Sequence, residues 1–487
     1  MSKKNQNYTN RKQNRFQPER MRGNVFVNNS GKQWLPGENG RAAKVEMLLR
    51  EKKEEKKAAG RMAGYKDSGV EWIGEIPEEW EIHPLRMYLN ERKNKNNNGT
   101  EKNLLSLSYG HIIRKDINTQ KGLLPLSFNT YNIVEPSDII IRPTDLQNDK
   151  KSLRVGYAAE RGIITSAYFD LYSRNNAIFN TKFGYYLLSG YDAFKIFYGL
   201  GNGVRQSVTF KEFASLPAIL PPLPEQQRIA DFLDTKCGIL DRTIDAVSRQ
   251  IEDLEKYKKA LITKTVTKGI CKKGEPERKM KESGVEWIGE DIPFDWDINR
   301  LQFCIDEISE RNYAGKETHI LSLMKDKGFI PYEEKGRVGN ISKTDLTQYK
   351  LAYPNTLITN SMNIIIGSSG ISQYKGCVSP AYYVFKAKPN SDIRYFNYIF
   401  AVRAFQNECR RFANGILEIR LRISSTNLLK IKVPVPPLAE QQQIADYLDE
   451  KCKNIDTRIQ KRREQLEWLK EYKKSLIFDY VTGKKRV

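Results

Sequence analysis

The sequence predicts an α+β protein built twice: two α+β domains in a pseudo-twofold repeat, separated by two long antiparallel helices with coiled-coil spacing. Two recurrences and one periodicity carry this. Lys66–Glu75 returns as Lys281–Glu290, and Leu220–Asp231 returns as Val435–Asp446, both displaced by 215 residues, as Glu71 to Glu286 and Glu225 to Glu440 show. Solenoid repeats run about 20 to 50 residues, so a period this long marks a duplicated domain-plus-helix unit. The periodicity is a 4-3 spacing of apolar residues after each Pro-Pro pair, the signature of helices that pack on one another.

In chain order, residues 1–64 have no counterpart in the second copy. They are basic, rich in Asn, Lys and Arg, and read as a disordered or partly helical extension whose Arg41–Ala59 stretch is made of good helix formers. Residues 65–222 form the first α+β domain. Short β-rich runs at Asn103–Ser108, Asp138–Ile141, Gly162–Ser166 and Asn176–Asn180 alternate with Gly, Pro, Asn and Asp turns, then Lys182–Tyr198 has helical character. Residues 223–268 are the first long helix and residues 269–280 a linker. The second domain, 281–437, repeats the pattern with strands at His319–Leu323, Thr356–Thr359 and Tyr382–Ala387 and a helical stretch at Ile393–Phe412. The second long helix covers 438–482, and 483–487 is a basic tail.

Each helix is clearly punctuated. Pro221-Pro222 and Pro436-Pro437 stand before the start, while Glu225 and Glu440 suit the positive helix end. The first seam reads Leu233, Cys237, Leu240, Ile244, Val247, Ile251, Leu254 and Leu261, interrupted by Lys258. The second reads Leu448, Cys452, Ile455, Ile459, Arg462, Leu466, Leu469 and Leu476, with Lys473 in the place of Lys258. The short linker sets the end of one helix near the start of the next, which favours the antiparallel pairing. Leu233–Leu261 spans about 42 Å at 1.5 Å per residue, a separation of about 12 base pairs of DNA.

Composition narrows the function. The net charge of +22 points to polyanion binding through counterion release, although part of the charge lies in the extension and on helix faces. No apolar run approaches the roughly 18 residues of a membrane span, and the first residues lack the apolar stretch of a secretory signal, so a soluble cytoplasmic protein is expected. The six cysteines form no C-x-x-C pair and only three histidines are present, so no metal site is expected. Cys237 and Cys452, at matching repeat positions, read as small buried thiols.

Catalytic tools are missing. There is no G-x-x-x-x-G-K-[ST] loop, Gly199–Gly203 reads better as a turn than as a dinucleotide loop, and no Asn-Pro-Pro or Asp-Pro-Pro motif of amino-methyltransferases occurs. The histidines do not fall at matching repeat positions, which also weakens a histidine-based nuclease.

The repeated motifs carry a resemblance. Gly-Val-Glu-Trp-Ile-Gly-Glu-x-Pro-x-x-Trp at Gly69–Trp80, again at Gly284–Trp296 with one insertion, Tyr131-x-x-Val134-x-Pro136-x-Asp138, Gly376-x-x-Ser379-Pro380-Ala381-Tyr382, and the two Pro-Pro-Leu-x-Glu-Gln-Gln helix starts resemble the specificity (S) subunits of type I restriction-modification systems. The resemblance spans about residues 65 to 483. It implies two target-recognition domains, each reading one half of a split double-stranded DNA target, held apart by the paired helices. It further implies two docked methyltransferase (M) subunits, with restriction (R) subunits in the full complex. S-adenosylmethionine, Mg²⁺ and ATP would belong to those partners, and no cofactor or catalytic residue to this chain. The competing reading is a stand-alone DNA-binding or regulatory module without methyltransferase partners.

The copies differ in an informative way. Helices and Trp-containing entry segments match, whereas interiors such as Tyr109–Thr130 and Lys325–Asp345 hardly do. Like segments suit symmetric partners, and unlike ones suit two different half-sites. Candidate DNA contacts are His111, Arg114, Lys115, Arg142, Lys150, Lys151, Arg154, Arg205 and Gln206 in the first domain, and Lys325, Lys327, Lys335, Arg337, Arg420 and Arg422 in the second. Arg205 and Arg420 are one repeat apart, which favours a phosphate or structural role over base reading; for each of the others a solvated surface charge is the alternative. Trp72, Trp80, Trp287 and Trp296 read as core or partner packing rather than base stacking. Candidate partner contacts at the helix starts are Gln226, Gln227, Phe232, Gln441, Gln442 and Tyr447, with packing of helix against its own domain as the alternative.

Overall fold

The computed structural model describes residues 26–27, 33–34, 64–118, 127–146, 153–200, 207–270, 274, 278–324, 328–335, 345–413 and 421–487. The chain divides into two compact units, residues 1–229 with 479–487, and residues 230–478.

In the first unit, two four-stranded sheets form the domain. One runs Val155–Tyr157, Ile139–Ile141, Phe169–Ser173, Leu89–Glu91, antiparallel throughout. The other runs His111–Lys115, Leu104–Ser108, Gly162–Ile164, Asn132–Val134, with one parallel pairing, Ile163 to Leu104. Leu105, Val134, Ile140, Ala158 and Ile164, drawn from both sheets, bury one core cluster. The helix Thr181–Ala193 starts at Asn180, whose side chain accepts from Phe183 N, and buries Phe183, Tyr186, Leu187 and Tyr191. Asn176–Asn180, expected as a strand, is instead a turn leading into that cap. Asn175 and Asn180 accept the backbone N–H groups of Ala177 and Phe183, local bonds that compete with a sheet ladder.

The second unit repeats the frame. Ile305–Glu307, Tyr382–Ala387, Leu357–Asn360 and Ser369–Ile371 form an antiparallel sheet, and Leu321–Met324 with Gly328–Pro331 and Lys350–Ala352 with Gly376–Val378 form two strand pairs. The expected helix Ile393–Phe412 is broken into Ile393–Ala401 and Arg403–Arg411 by Val402, which is extended at φ −73° and ψ 126°. Val402 is buried with Phe400 and Phe405, so packing on both sides of the break overrides helix continuity.

The long helices run Leu223–Lys268 and Leu438–Val481. Within the second unit they are antiparallel, because Lys258 late in one pairs with Asp456 early in the other at 2.7 Å, and Lys473 pairs with Asp241 at 2.6 Å. These are one bond made twice, since both members shift by the repeat period. The lysines that interrupt the apolar seam therefore face carboxylates across it. Cys237, Val247, Ile455, Ile459 and Leu469 are buried, while Leu240, Ile244, Ile251 and Leu254 are half-buried. Arg462, expected in the seam, is exposed, and its neighbour Arg463 takes the inward place by pairing with Glu255 at 2.9 Å. A cation that has an acid across the seam displaces one that has none.

Both helices end on a left-handed glycine, Gly269 at φ 80° and Gly483 at φ 70°, where side chains are strained. A Cβ on Gly483 would also lie 2.5 Å from Pro77 Cδ.

Candidate nucleic-acid interface

The entry segments and helix starts are locked together in the same way in each unit. Trp80 is fully buried and its indole N–H donates to Glu225 Oε2 at 3.0 Å; Trp296 is fully buried and donates to Glu440 Oε2 at 2.8 Å. A guanidinium completes each pair. Arg486 reaches Glu225 at 3.0 Å and also pairs with Glu79, while Arg278 lies 2.9 Å from Glu440 Oε2 and 2.6 Å from Asp295. Trp72 packs edge-on against Tyr191 with ring centroids 4.7 Å apart, and Trp287 donates to Lys432 O at 2.9 Å. All four tryptophans are framework.

The candidate partner residues split. Gln226 and Gln441 are fully buried and serve as interior clamps. Gln226 accepts from Asn180 N at 2.9 Å and donates to Ile178 O and Pro221 O; Gln441 accepts from Asp392 N at 2.9 Å and donates to Asn390 O and Pro436 O. With donors and acceptor spent on main chain inside the fold, neither has a face to offer a partner. Gln227 and Gln442 are exposed, Gln227 accepting from Asn180 Nδ2 at 2.6 Å. Phe232 and Tyr447 are half-buried, each beneath an ammonium one turn on, Lys236 and Lys451, at 5.6 Å.

The candidate DNA contacts also separate by burial. His111, Arg114 and Lys115 are exposed along the outer strand of the first unit's second sheet, and Arg114 forks onto Glu160 with Nε–Oε1 at 2.6 Å. Arg142 is half-buried against Asp145 at 3.1 Å. Arg154 is fully buried. It donates to Tyr198 Oη at 2.9 Å, to Asp145 O at 2.8 Å and to Thr144 O, so its charge holds the loop after Ile141 and is withdrawn from the surface. Nearby, burial pushes the Asp192 carboxyl up, opposed by the Arg154 backbone N–H it accepts. In the second unit Lys335 lies over the Tyr332 ring at 5.1 Å and Arg422 is exposed. Lys150, Lys151, Arg205, Gln206, Lys325, Lys327, Arg337 and Arg420 lie outside the described residues.

Side chains not anticipated from sequence lie on a loop whose Ser361 O accepts from Ile423 N at 3.2 Å, next to Arg422 in the chain. Met362 and Ile366, on the loop after Leu357–Asn360, are 41% and 68% exposed, and Arg403 donates to Ile365 O at 3.2 Å. Ile364–Ile366 form a tight turn closed by Gly367, which buries Ile364 and leaves Ile366 exposed.

Comparison with known proteins places this architecture. The family model described as "Type I restriction modification DNA specificity domain" matches residues 92–256 and again 300–467, once on each copy. The MjaVIII type I restriction enzyme specificity subunit of Methanocaldococcus jannaschii is 28% identical over 344 residues, covering 68% of this chain and 76% of that one. The putative MjaX specificity subunit of the same organism is 26% identical over 440 residues, covering 85% and 96%. A solved chain from a study of complex assembly and conformational transition in the type I R-M system shares the fold with a TM-score of 0.59 at 14% identity, covering 84% of this chain and 99% of that one. The two family matches together take in well over half of the residues, and the chain belongs to the specificity subunits of type I restriction-modification systems.

Proposed function

We propose that this chain reads a bipartite double-stranded DNA target, one half-site per recognition domain, and docks two methyltransferase subunits on its paired helices and their entry segments. As a specificity subunit it is non-catalytic. Methylation, with S-adenosylmethionine, and ATP- and Mg²⁺-dependent cleavage by restriction subunits would reside in its partners, in the cytoplasm. Among the described residues no helix is long and apolar enough to cross a membrane.

One observation carries the reading. The family matches fall on two copies of a unit whose helices and entry segments are alike and whose domain interiors are not. A dimer of identical enzymes needs like surfaces, while a split target needs unlike readers. His111, Arg114, Lys115, Lys335 and Arg422 are exposed or part-exposed on the domains and are proposed DNA contacts; Gln227, Gln442, Phe232 and Tyr447 are proposed partner contacts.

The test is co-expression with a type I methyltransferase subunit, followed by mapping of methylated bases. A stable complex of one specificity and two methyltransferase subunits is expected, with a motif in two parts centred about 12 base pairs apart. A continuous motif, or sequence-specific binding by the chain with no methyltransferase retained, contradicts it.

A further inference from the structure

The loop between Leu357–Asn360 and Ser369–Ile371 presents apolar side chains on a braced backbone. Met362 N donates to Asn360 Oδ1 at 3.0 Å, Ile366 N to Asn363 O at 3.0 Å, and Gly367 N to Ile364 O at 2.9 Å. Gly367 sits at φ 79° and so turns the chain back, while Ile364 is 1% exposed and anchors the loop in the core beside Phe405. Three consecutive isoleucines are thus sorted by backbone geometry: Ile364 goes in, and Ile366 is held out in solvent. A loop pinned at one isoleucine does not bury the other by collapse, so the Ile366 tip stays available to an external contact.

The surroundings indicate what makes that contact. Ile423 N donates to Ser361 O at 3.2 Å, which brings the backbone at the exposed Arg422 near that at Met362, and Arg403 donates to Ile365 O at 3.2 Å. An exposed apolar tip on a loop that neighbours Arg403 and Arg422 suits a major groove edge, where the thymine methyl is the apolar feature and phosphates border the groove. The first domain differs at the same place. There Val208 N donates to Pro143 O at 3.1 Å in the matching bond, and the neighbouring loop residues are Arg142, Thr144 and Asp145.

Resting on the function proposed above, we propose that Met362 and Ile366 determine specificity by packing on a thymine 5-methyl group in the half-site read by the second domain, with Arg403 and Arg422 on the flanking phosphates. The domain therefore prefers an A·T pair at that position.

The test uses the full chain bound to its methyltransferase and duplexes carrying the mapped motif, with each thymine replaced singly by uracil, which removes only the methyl. Binding is measured by fluorescence anisotropy at fixed salt. One thymine is expected to matter, its replacement weakening binding about fourfold, as for one buried methyl group. Ile366→Ala should weaken binding to the thymine duplex similarly and abolish the distinction between thymine and uracil, with its melting temperature unchanged. Met362→Ala should do so to a lesser degree. The inference is overturned if no uracil substitution matters, if Ile366→Ala still discriminates, if the half-site read by the second domain lacks A·T pairs, or if Ile366→Ala releases the methyltransferase instead. If the wild-type complex binds no specific sequence, the functional reading itself falls.

Discussion

The first domain buries charge where the second buries hydrocarbon. Arg92, Asp138 and Asp170 meet between the sheets of the first, with Arg92 Nε 2.8 Å from Asp138 and 3.9 Å from Asp170, and Asp170 fully buried. Ile308, Thr356 and Val384 hold the matching places in the second, where Ile308 and Val384 pack with Leu321, Phe329 and Ile358. Main-chain bonds establish the equivalence: Arg92 N to Asp170 O at 2.7 Å answers Ile308 N to Val384 O at 2.8 Å, and Ala158 N to Asp138 O at 2.9 Å answers Ser372 N to Thr356 O at 3.0 Å. The backbone ladder thus holds the shape of the fold while its filling is free to change. Buried ion clusters often add little stability over an apolar filling, yet they are costly to break in part.

The largest effect should come from breaking the cluster on one side. Arg92→Leu leaves the buried Asp138 carboxylate, beside the Asp170 carboxyl, without its cation and should cost about 3 to 5 kcal/mol in denaturant unfolding. Next, Ile459→Asp places a carboxylate in the helix seam and should cost about 3 kcal/mol, with loss of assembly; Ile244→Asp, at a half-buried site, should cost less. If the Ile459 variant retains sequence-specific methylation, the helical spacer model fails. Third, converting the first domain to the second's filling by Arg92→Ile, Asp138→Thr and Asp170→Val together should be neutral or gain about 1 to 4 kcal/mol. A large loss would mean that the cluster is needed for the fold.

The fourth prediction uses pH. Burial, and then the neighbouring Asp138 charge, push the Asp170 carboxyl up to about 9, so the folded state holds a proton that the unfolded chain releases near pH 4. Stability from this group is therefore fully present below about pH 4 and is lost as pH rises to about 9. Hydrogen exchange, corrected for intrinsic rates, should show protection of Phe169–Ser173 falling from pH 5 to 9 relative to Tyr382–Ala387, and Asp170→Asn should flatten the difference. The smallest effect is expected at the seam ion pairs. A double-mutant cycle on Lys258 and Asp456, whose carboxylate is largely exposed, should give about 0.2 to 1 kcal/mol, and the same cycle on Lys473 and Asp241 a similar value.

Much of the architecture was legible because it rests on local signals. Pro-Pro pairs, first-turn glutamates and apolar spacing locate both long helices, and the short linker indicates their direction. Strand positions such as Leu104–Ser108 and Tyr382–Ala387 follow from β-rich runs bounded by turns. What escaped depends on contacts distant in sequence. Arg154 and Gln226 look like surface residues by type, and their burial is set by partners 44 and 48 residues away. Val402 breaks a helix that its neighbours favour because aromatic packing on either side decides the matter. Ile366 is held outward by the tight turn Ile364–Ile366, which its apolar composition does not announce.

The contact of Arg486 with Glu225 has a consequence for the order in which the protein is made. The partners are 261 residues apart, so at about 5 to 20 residues per second the ribosome needs on the order of ten to fifty seconds to supply the guanidinium after the carboxylate has emerged. The corresponding contact in the other unit joins residues 162 apart, Arg278 and Glu440, and involves no segment made after residue 478. The half of the chain that is synthesised first is therefore completed last, and until then its Trp80 pocket is held without the clasp that closes it.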